Sequence, residues 1–148
     1  MELSRLERLA LLSKQEQEEY LSSFSDDDLE RLITSYSFIA RKKQQFPKGD
    51  WRTWLINSGR GFGKTFIGSN WVIEQAQTQI YPIALIGANA ADVRDYMIET
   101  GESSIIKQSP KWFTPEYQPS KRRLVFPNGV LAVAYSADNP DQLRGFNG

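Results

Sequence analysis

The sequence contains no cysteine and no histidine. That removes disulfides, thiol chemistry, thiolate zinc sites and every Ser-His-type triad in one step. It also lacks a charge of one sign, because 18 basic side chains cancel 18 acidic ones. A net-neutral chain is not steered to nucleic acid by total charge, so any DNA contact must come from a local patch. No apolar run approaches membrane-spanning length. The N-terminal MELSRLERLALLSKQ lacks the long apolar stretch and small-residue cleavage site of a signal peptide. These absences set the expectation of a soluble intracellular protein with no membrane contact. There is no internal repeat and no low-complexity tract. What is present is material for a core: 40% of the 148 residues are hydrophobic and 12% aromatic, which argues against global disorder.

Along the chain, residues 1–45 read as helices, so that 1–46 forms a helical N-terminal segment. Leu3, Leu6, Leu9 and Leu12 mark one face. Ser13 with Glu16, and Ser25 with Asp28, have the spacing of capping boxes. Asp26, Asp27 and Asp28 suit the positive end of a helix, and Arg41, Lys42 and Lys43 the negative end. Leu29, Leu32, Ile33, Tyr36 and Ile39 or Ala40 keep roughly helical spacing. PKGD (47–50) is a turn and the expected boundary. Beyond it, Trp51 to Ile56 reads as a strand, Gly63 to about Gln77 as a helix, and Ile83 to Ile86 as a buried strand. Asp92 to Ile98 reads as a short helix. Lys121 to Phe126 and Val130 to Tyr135 flank PNG (127–129) as a hairpin or tight strand connection. Strand, glycine loop, helix, strand is the grammar of a parallel sheet. It predicts an α/β fold over 47–148 in which 51–56 and 83–86 run parallel.

The stretch INSGRGFGKTF (56–66) concentrates glycine at one point of the chain. Glycines there cost backbone entropy unless the loop needs positive φ or a close approach. The phosphate-loop pattern is G-x-x-x-x-G-K-[ST]. Here Ser58 stands where the first glycine belongs, followed by Gly59, Arg60, Gly61, Phe62, Gly63, Lys64 and Thr65. Backbone N–H groups of such a loop point at phosphate oxygens. Lys64 would reach the β and γ phosphates of ATP, and the Thr65 hydroxyl would ligate magnesium (Mg). For Arg60, a solvated loop charge and a guanidinium lying over the γ phosphate fit the spacing equally well.

GDWRTWLINSGRGFGKTFIGSNWV (49–72) resembles the ATPase domain of terminase large subunits, the DNA-packaging motors of tailed bacteriophages. The branch it is most similar to includes prophage and gene-transfer-agent proteins. The resemblance continues through IALIGANAADVRDYMIETGESSII (83–106), YQPSKRRLVFPNG (117–129) and YSADNPDQLRG (135–145), covering about residues 36–148. It implies a P-loop NTPase-type parallel sheet, with Ser58–Thr65 as Walker A and Arg60 as the arginine such loops carry. It further implies that Gln44, with Gln45 a near alternative, matches an adenine-recognising glutamine. A surface glutamine at a helix end explains Gln44 as well. Arg144, in LRG, matches an arginine proposed to act on a neighbouring subunit's ATP. The implied partners are double-stranded viral DNA, the portal and the small terminase subunit, in the cytoplasm of a bacterial host, with a possible homo-oligomer. Another P-loop ATPase such as a DNA helicase, or a catalytically dead prophage remnant, is the alternative.

The sequence departs from the family where Walker B would stand. No strand of four apolar residues ends in Asp-Glu; after Val130 to Ala134, Asp138 is followed by Asn139. The expectation is therefore a truncated ATPase domain over 47–148, with an incomplete sheet, no nuclease domain and no ATP hydrolysis on its own. The cluster Lys121, Arg122, Arg123 reads more readily as a charged turn than as a DNA contact. Trp51, Trp54, Trp71 and Trp112 read as packing aromatics.

Overall fold

The computed structural model describes residues 3–78 and 81–145. The chain divides into two compact units, Met1–Leu55 and Ile56–Gly148.

The first unit is built from short capped helices. In α1 (Arg5–Ala10) the Ser4 hydroxyl accepts from the Glu7 N–H at 3.0 Å, and the Glu7 carboxylate accepts from the Ser4 N–H at 2.6 Å. Ser13 and Glu16 repeat the device at α2 (Lys14–Ser22), as their spacing predicts. At α3 (Asp26–Thr34) only half of it forms. Ser25 accepts from the Asp28 N–H, but the Asp28 carboxylate takes the Ser25 hydroxyl at 2.7 Å instead of the backbone N–H. Aspartate is one methylene shorter than the Glu that reaches back in a full capping box.

The leucine face expected at the N-terminus is mostly in solvent, with Leu3, Leu6 and Leu12 exposed. None of α1–α3 contains a buried residue. Burial in this unit is carried instead by Tyr36 and Phe38 of α4 (Tyr36–Ile39) and by Ala40. An aromatic chain extends from there. Tyr36 stacks on Phe46 at 4.3 Å, Phe46 meets Trp54 edge-on at 5.9 Å, and Trp54 meets Trp51 at 6.0 Å.

This chain of rings explains a departure from the expected strand over 51–56, which has no regular secondary structure. Trp51 and Trp54 pack on one another. Residues three apart in a strand point to opposite faces, so the strand and the aromatic contact are incompatible. Both rings lie within the first compact unit, which extends to Leu55.

In the second unit α5 (Lys64–Thr78) leads to β1 (Ile83–Gly87). The sheet order is β1-β4-β3-β2, with β2 Glu116–Gln118, β3 Arg123–Val125 and β4 Leu131–Ser136. β1 and β4 run parallel, Ile83 opposite Ala132 and Gly87 opposite Ser136. β3 is antiparallel to both of its neighbours. The sheet is thus mixed, and the parallel partner of β1 is β4 where 51–56 was expected.

The hairpin at PNG is present. Gly129 has φ 87° and its N–H donates to the Phe126 carbonyl at 2.8 Å. Asn128 extends an amide to the Ala76 carbonyl at 2.7 Å, satisfying one of the carbonyls that the end of α5 leaves without an intrahelical donor. The core lies between α5 and the sheet. Val72, Ile73 and Ala76 face Ile83, Leu85, Leu124 and Ala132, with Phe113 and Phe126 closing one end.

After β1, Asn89 caps α6 (Ala90–Asp92) and the chain continues as a π-helical stretch, Val93–Glu99. It ends where the Asp95 carbonyl accepts from the Thr100 N–H, the Gly101 N–H and the Thr100 hydroxyl at 3.1, 3.0 and 2.6 Å. Ser104 then caps the single turn α7 (Ile105–Gln108).

Candidate phosphate-binding loop

Of the three loop glycines, two adopt conformations that favour glycine: Gly61 has φ 79° and Gly63 has φ 96°. Gly59 does not, and a side chain there would meet nothing within 4 Å. Lys64 is the first residue of α5, and the first helical bond is from the Ile67 N–H to the Gly63 carbonyl at 2.9 Å. Helix geometry therefore leaves the N–H groups of the preceding turn without intrahelical acceptors, at the positive end of a 15-residue helix. No acidic residue stands in that first turn.

The Lys64 ammonium folds back over the loop. It donates to the Ser58 carbonyl at 2.9 Å and to the Gly59 carbonyl at 3.0 Å. Thr65 and Arg60 are exposed, and neither side chain has a hydrogen-bond or ion-pair partner among the described residues. Phe62 is half-buried between them. The Ser58 hydroxyl oxygen is buried and has no hydrogen-bond partner among the described residues, at the position where the phosphate-loop pattern carries glycine.

Two cavities meet at this helix end. One, of about 390 Å³, is lined by Arg60, Gly61, Gly63, Lys64 and Thr65 on one side and by Glu102 and Ser103 on the other. The second, of about 650 Å³, is mostly apolar and runs between α5, β1 and the π-helical stretch. Lys64, Thr65 and Tyr96 line both. The 101–103 segment is fixed to the helix that carries the loop lysine. The Ser69 hydroxyl of α5 donates to the Ser103 carbonyl at 2.6 Å, and Gln108 of α7, whose side-chain oxygen accepts from the Asn70 amide of α5 at 3.4 Å, donates its own amide to the Glu102 carbonyl at 2.8 Å.

The remaining sequence candidates lie elsewhere. Gln44 belongs to the first unit and is buried, so it is not the surface glutamine that its position at a helix end allowed. Its side-chain oxygen accepts from the Arg41 N–H at 3.1 Å and from Arg41 Nε at 3.3 Å, and its backbone carbonyl accepts the Tyr36 hydroxyl. Gln45 donates to the Ala40 and Ser37 carbonyls. Arg144 lies exposed in a 3₁₀ turn, Pro140–Gly145, paired with exposed Asp141 at 3.1 Å. Asp138 is exposed beyond the end of β4.

In the basic cluster, Arg123 donates to Gln118 at 2.9 Å and Arg122 to Gln142 at 3.3 Å, with Arg122 in the left-handed region at φ 49°. That is the geometry of a charged turn. Among the tryptophans, Trp71 packs on the core whereas Trp112 is half in solvent. Tyr96 and Glu102 escaped the sequence reading. The break at Gly101, inside ETGESS, was the one available signal that the helix stops beside the loop.

One ion pair of this unit shifts its carboxylate. Arg94 and Asp95 meet at 2.6 Å, and the hydrogen bond from Arg94 holds the Asp95 carboxyl below its ordinary range. Burial, with Glu99 nearby, pushes the Tyr117 phenol up.

A family model described as terminase large subunit, T4likevirus-type, N-terminal, matches residues 55–148. That stretch contains the whole glycine loop, both cavities and the sheet, and leaves Gln44 outside. Neither the comparison with curated proteins nor that with solved structures gives a match.

Proposed function

Since the chain belongs to the family of T4likevirus-type terminase large subunits, over their N-terminal part, and is a DNA-packaging component on that ground, we propose that Ser58–Thr65 is its ATP-binding loop. The observation that carries this reading is the pair of left-handed glycines, Gly61 and Gly63, delivering the chain directly into Lys64 at the start of α5. Such a turn aims successive N–H groups and a helix N-terminus at one point.

The residues present fit ATP with Mg²⁺. The Ser58 hydroxyl is a polar atom in want of a partner. Thr65 offers a free hydroxyl, and Mg²⁺ is commonly held by one or two protein oxygens together with phosphate oxygens and water. When bound, the ion supplies neutralisation of phosphate charge. The chain's own contribution is positional and electrostatic. The N–H groups of Gly61 to Thr65 orient the phosphates, and Lys64 exchanges two carbonyls for phosphate oxygens. Arg60, free at the cavity wall, adds a second positive charge. Arg144, exposed outside both cavities, suits action on the nucleotide of a neighbouring copy.

Within this reading the partners are double-stranded viral DNA, the portal and the small terminase subunit, in the cytoplasm of a bacterial host. Among the described residues no helix is long and apolar enough to cross a membrane.

Calorimetry with Mg-ATP tests the loop. Charge-assisted hydrogen bonds are worth about 1.5–3 kcal/mol, so Lys64→Ala should bind roughly 10- to 100-fold more weakly than the wild type. Equal affinities would place the nucleotide elsewhere.

A further inference from the structure

The charges of the first unit are sorted in space. Packing of α1 on α4 gathers Arg5, Arg8, Lys42 and Lys48, distant in sequence, around one concavity of about 440 Å³. No carboxylate lines it among the described residues, and the Glu7 carboxylate of α1 is taken up by the Ser4 cap. Most carboxylates of the unit stand elsewhere, Glu16, Glu18 and Glu19 on α2 and Asp26, Asp27, Asp28 and Glu30 on α3. We infer that this concavity is an interface between copies of the chain, and that it receives the acidic face of α2 from a second copy.

Unmatched charge is the first argument. Arg5, Arg8 and Lys48 are exposed, and their side chains have no hydrogen bond or ion pair among the described residues. The carboxylates of Glu18 and Glu19 are equally exposed and equally without one. The fold thus keeps the two signs from meeting within one chain, and each surface is the electrostatic complement of the other. With 18 basic and 18 acidic side chains in the whole chain, no net charge opposes the approach of a second copy.

The second argument is α2 itself. It buries no residue, although so short a helix draws its stability from packing. By helical spacing Glu16, Glu19 and Tyr20 share one face. Tyr20 is 44% exposed, with its ring edge-on to Phe24 at 5.3 Å. Aromatic residues are enriched at interface cores. Leu3, at the wall of the concavity, and Leu6, on the same helix, are exposed and offer such a ring apolar surface.

Sedimentation velocity on the full chain tests the interface. Arg5→Glu/Lys48→Glu serves as the pocket variant and Glu16→Gln/Glu19→Lys as the α2 variant. A Glu suits the first turn of α1, Gln keeps the Ser13 cap, and Lys suits the C-terminal half of α2, so both should keep wild-type circular dichroism. Should either lose helicity, the single neutral changes Arg8→Gln and Glu19→Gln take their place. The wild type should associate at low salt, and each variant alone at least about tenfold more weakly. Raising the ionic strength from about 0.01 to 0.15 M, which shortens the Debye length from about 30 to 8 Å, should weaken the wild type in the same direction. An equimolar mixture of the two variants should recover association as a heterodimer, because the intact α2 of one meets the intact pocket of the other. A wild type that stays monomeric at low salt, variants that associate like the wild type, or a mixture no better than its components each overturns the proposal. Titration of a fluorescent DNA duplex separates the other anionic occupant. A pocket variant that loses duplex affinity while the wild type stays monomeric assigns the concavity to phosphates, and the interface falls.

Discussion

Gly63 and Gly87 constrain the second unit in different ways. At Gly63 the constraint is conformational, since φ 96° is a value that side-chain-bearing residues rarely adopt. Gly63→Ala should lose more than about 1 kcal/mol in urea denaturation, and its nucleotide affinity should fall as the strained turn relaxes away from Lys64. At Gly87 the constraint is space. A Cβ would stand 2.6 Å from Val93 Cγ2, and Val93 is fully buried. Gly87→Ala should cost about 1–3 kcal/mol by overpacking, and adding Val93→Ala to it should cost less than the sum of the two single changes. A purely additive double mutant would show that the two sites do not touch. The loop was legible at this scale because its chemistry is local: glycine, lysine and threonine at fixed offsets state their geometry in the sequence. Tyr96 and Glu102 were not, because they reach the loop only through the tertiary path of the 93–103 segment. Gln44 was open to two readings, and the Arg41 contacts that occupy its carboxamide oxygen belong to a short 3₁₀ turn that the sequence does not announce.

Elements announced by turn chemistry or long periodicity formed close to where the sequence puts them: α5, β1 and the hairpin at Asn128 and Gly129. β2 went unread because three residues between Pro115 and Pro119 carry no period. The expected strand at 51–56 failed because ring packing of Trp51 and Trp54 outweighed an apolar run. The Glu-containing caps of the first unit make a prediction of their own. Glu7 is held below the ordinary carboxylate value of 4.5 first by the backbone hydrogen bond from Ser4, and Glu16 first by the side-chain hydrogen bond from Ser13. A carboxylate depressed in the folded state stabilises fully above its unfolded value, and that stability is lost as pH falls through the lower folded value. Helicity of α1 and α2, followed by circular dichroism, should therefore hold above about pH 4.5 and decline below it. Glu7→Gln and Glu16→Gln together should flatten the acid limb. An unaltered limb in that double variant would assign the acid sensitivity to other carboxylates.

For the molecule as a whole, the contrast between the units governs stability. The second has a contiguous apolar core, whereas α1–α3 bury no residue. Opening free energies should differ accordingly. Amides of α1–α3 should exchange with solvent deuterium well before those of α5 and β4, and a uniform exchange rate across both units would contradict this. The aromatic chain of the first unit offers a further consequence. Two of the four tryptophans, Trp51 and Trp54, have ring centroids 6.0 Å apart with planes inclined at 67°, while Trp71 and Trp112 belong to the second unit. Excited states of indoles at that separation and tilt mix, so their absorption splits into a pair of bands of opposite rotational sign. That couplet is a built-in optical label for the region where 46–54 fold together. It should vanish in Trp51→Phe and should fade as the aromatic chain comes apart, whatever the glycine loop is doing.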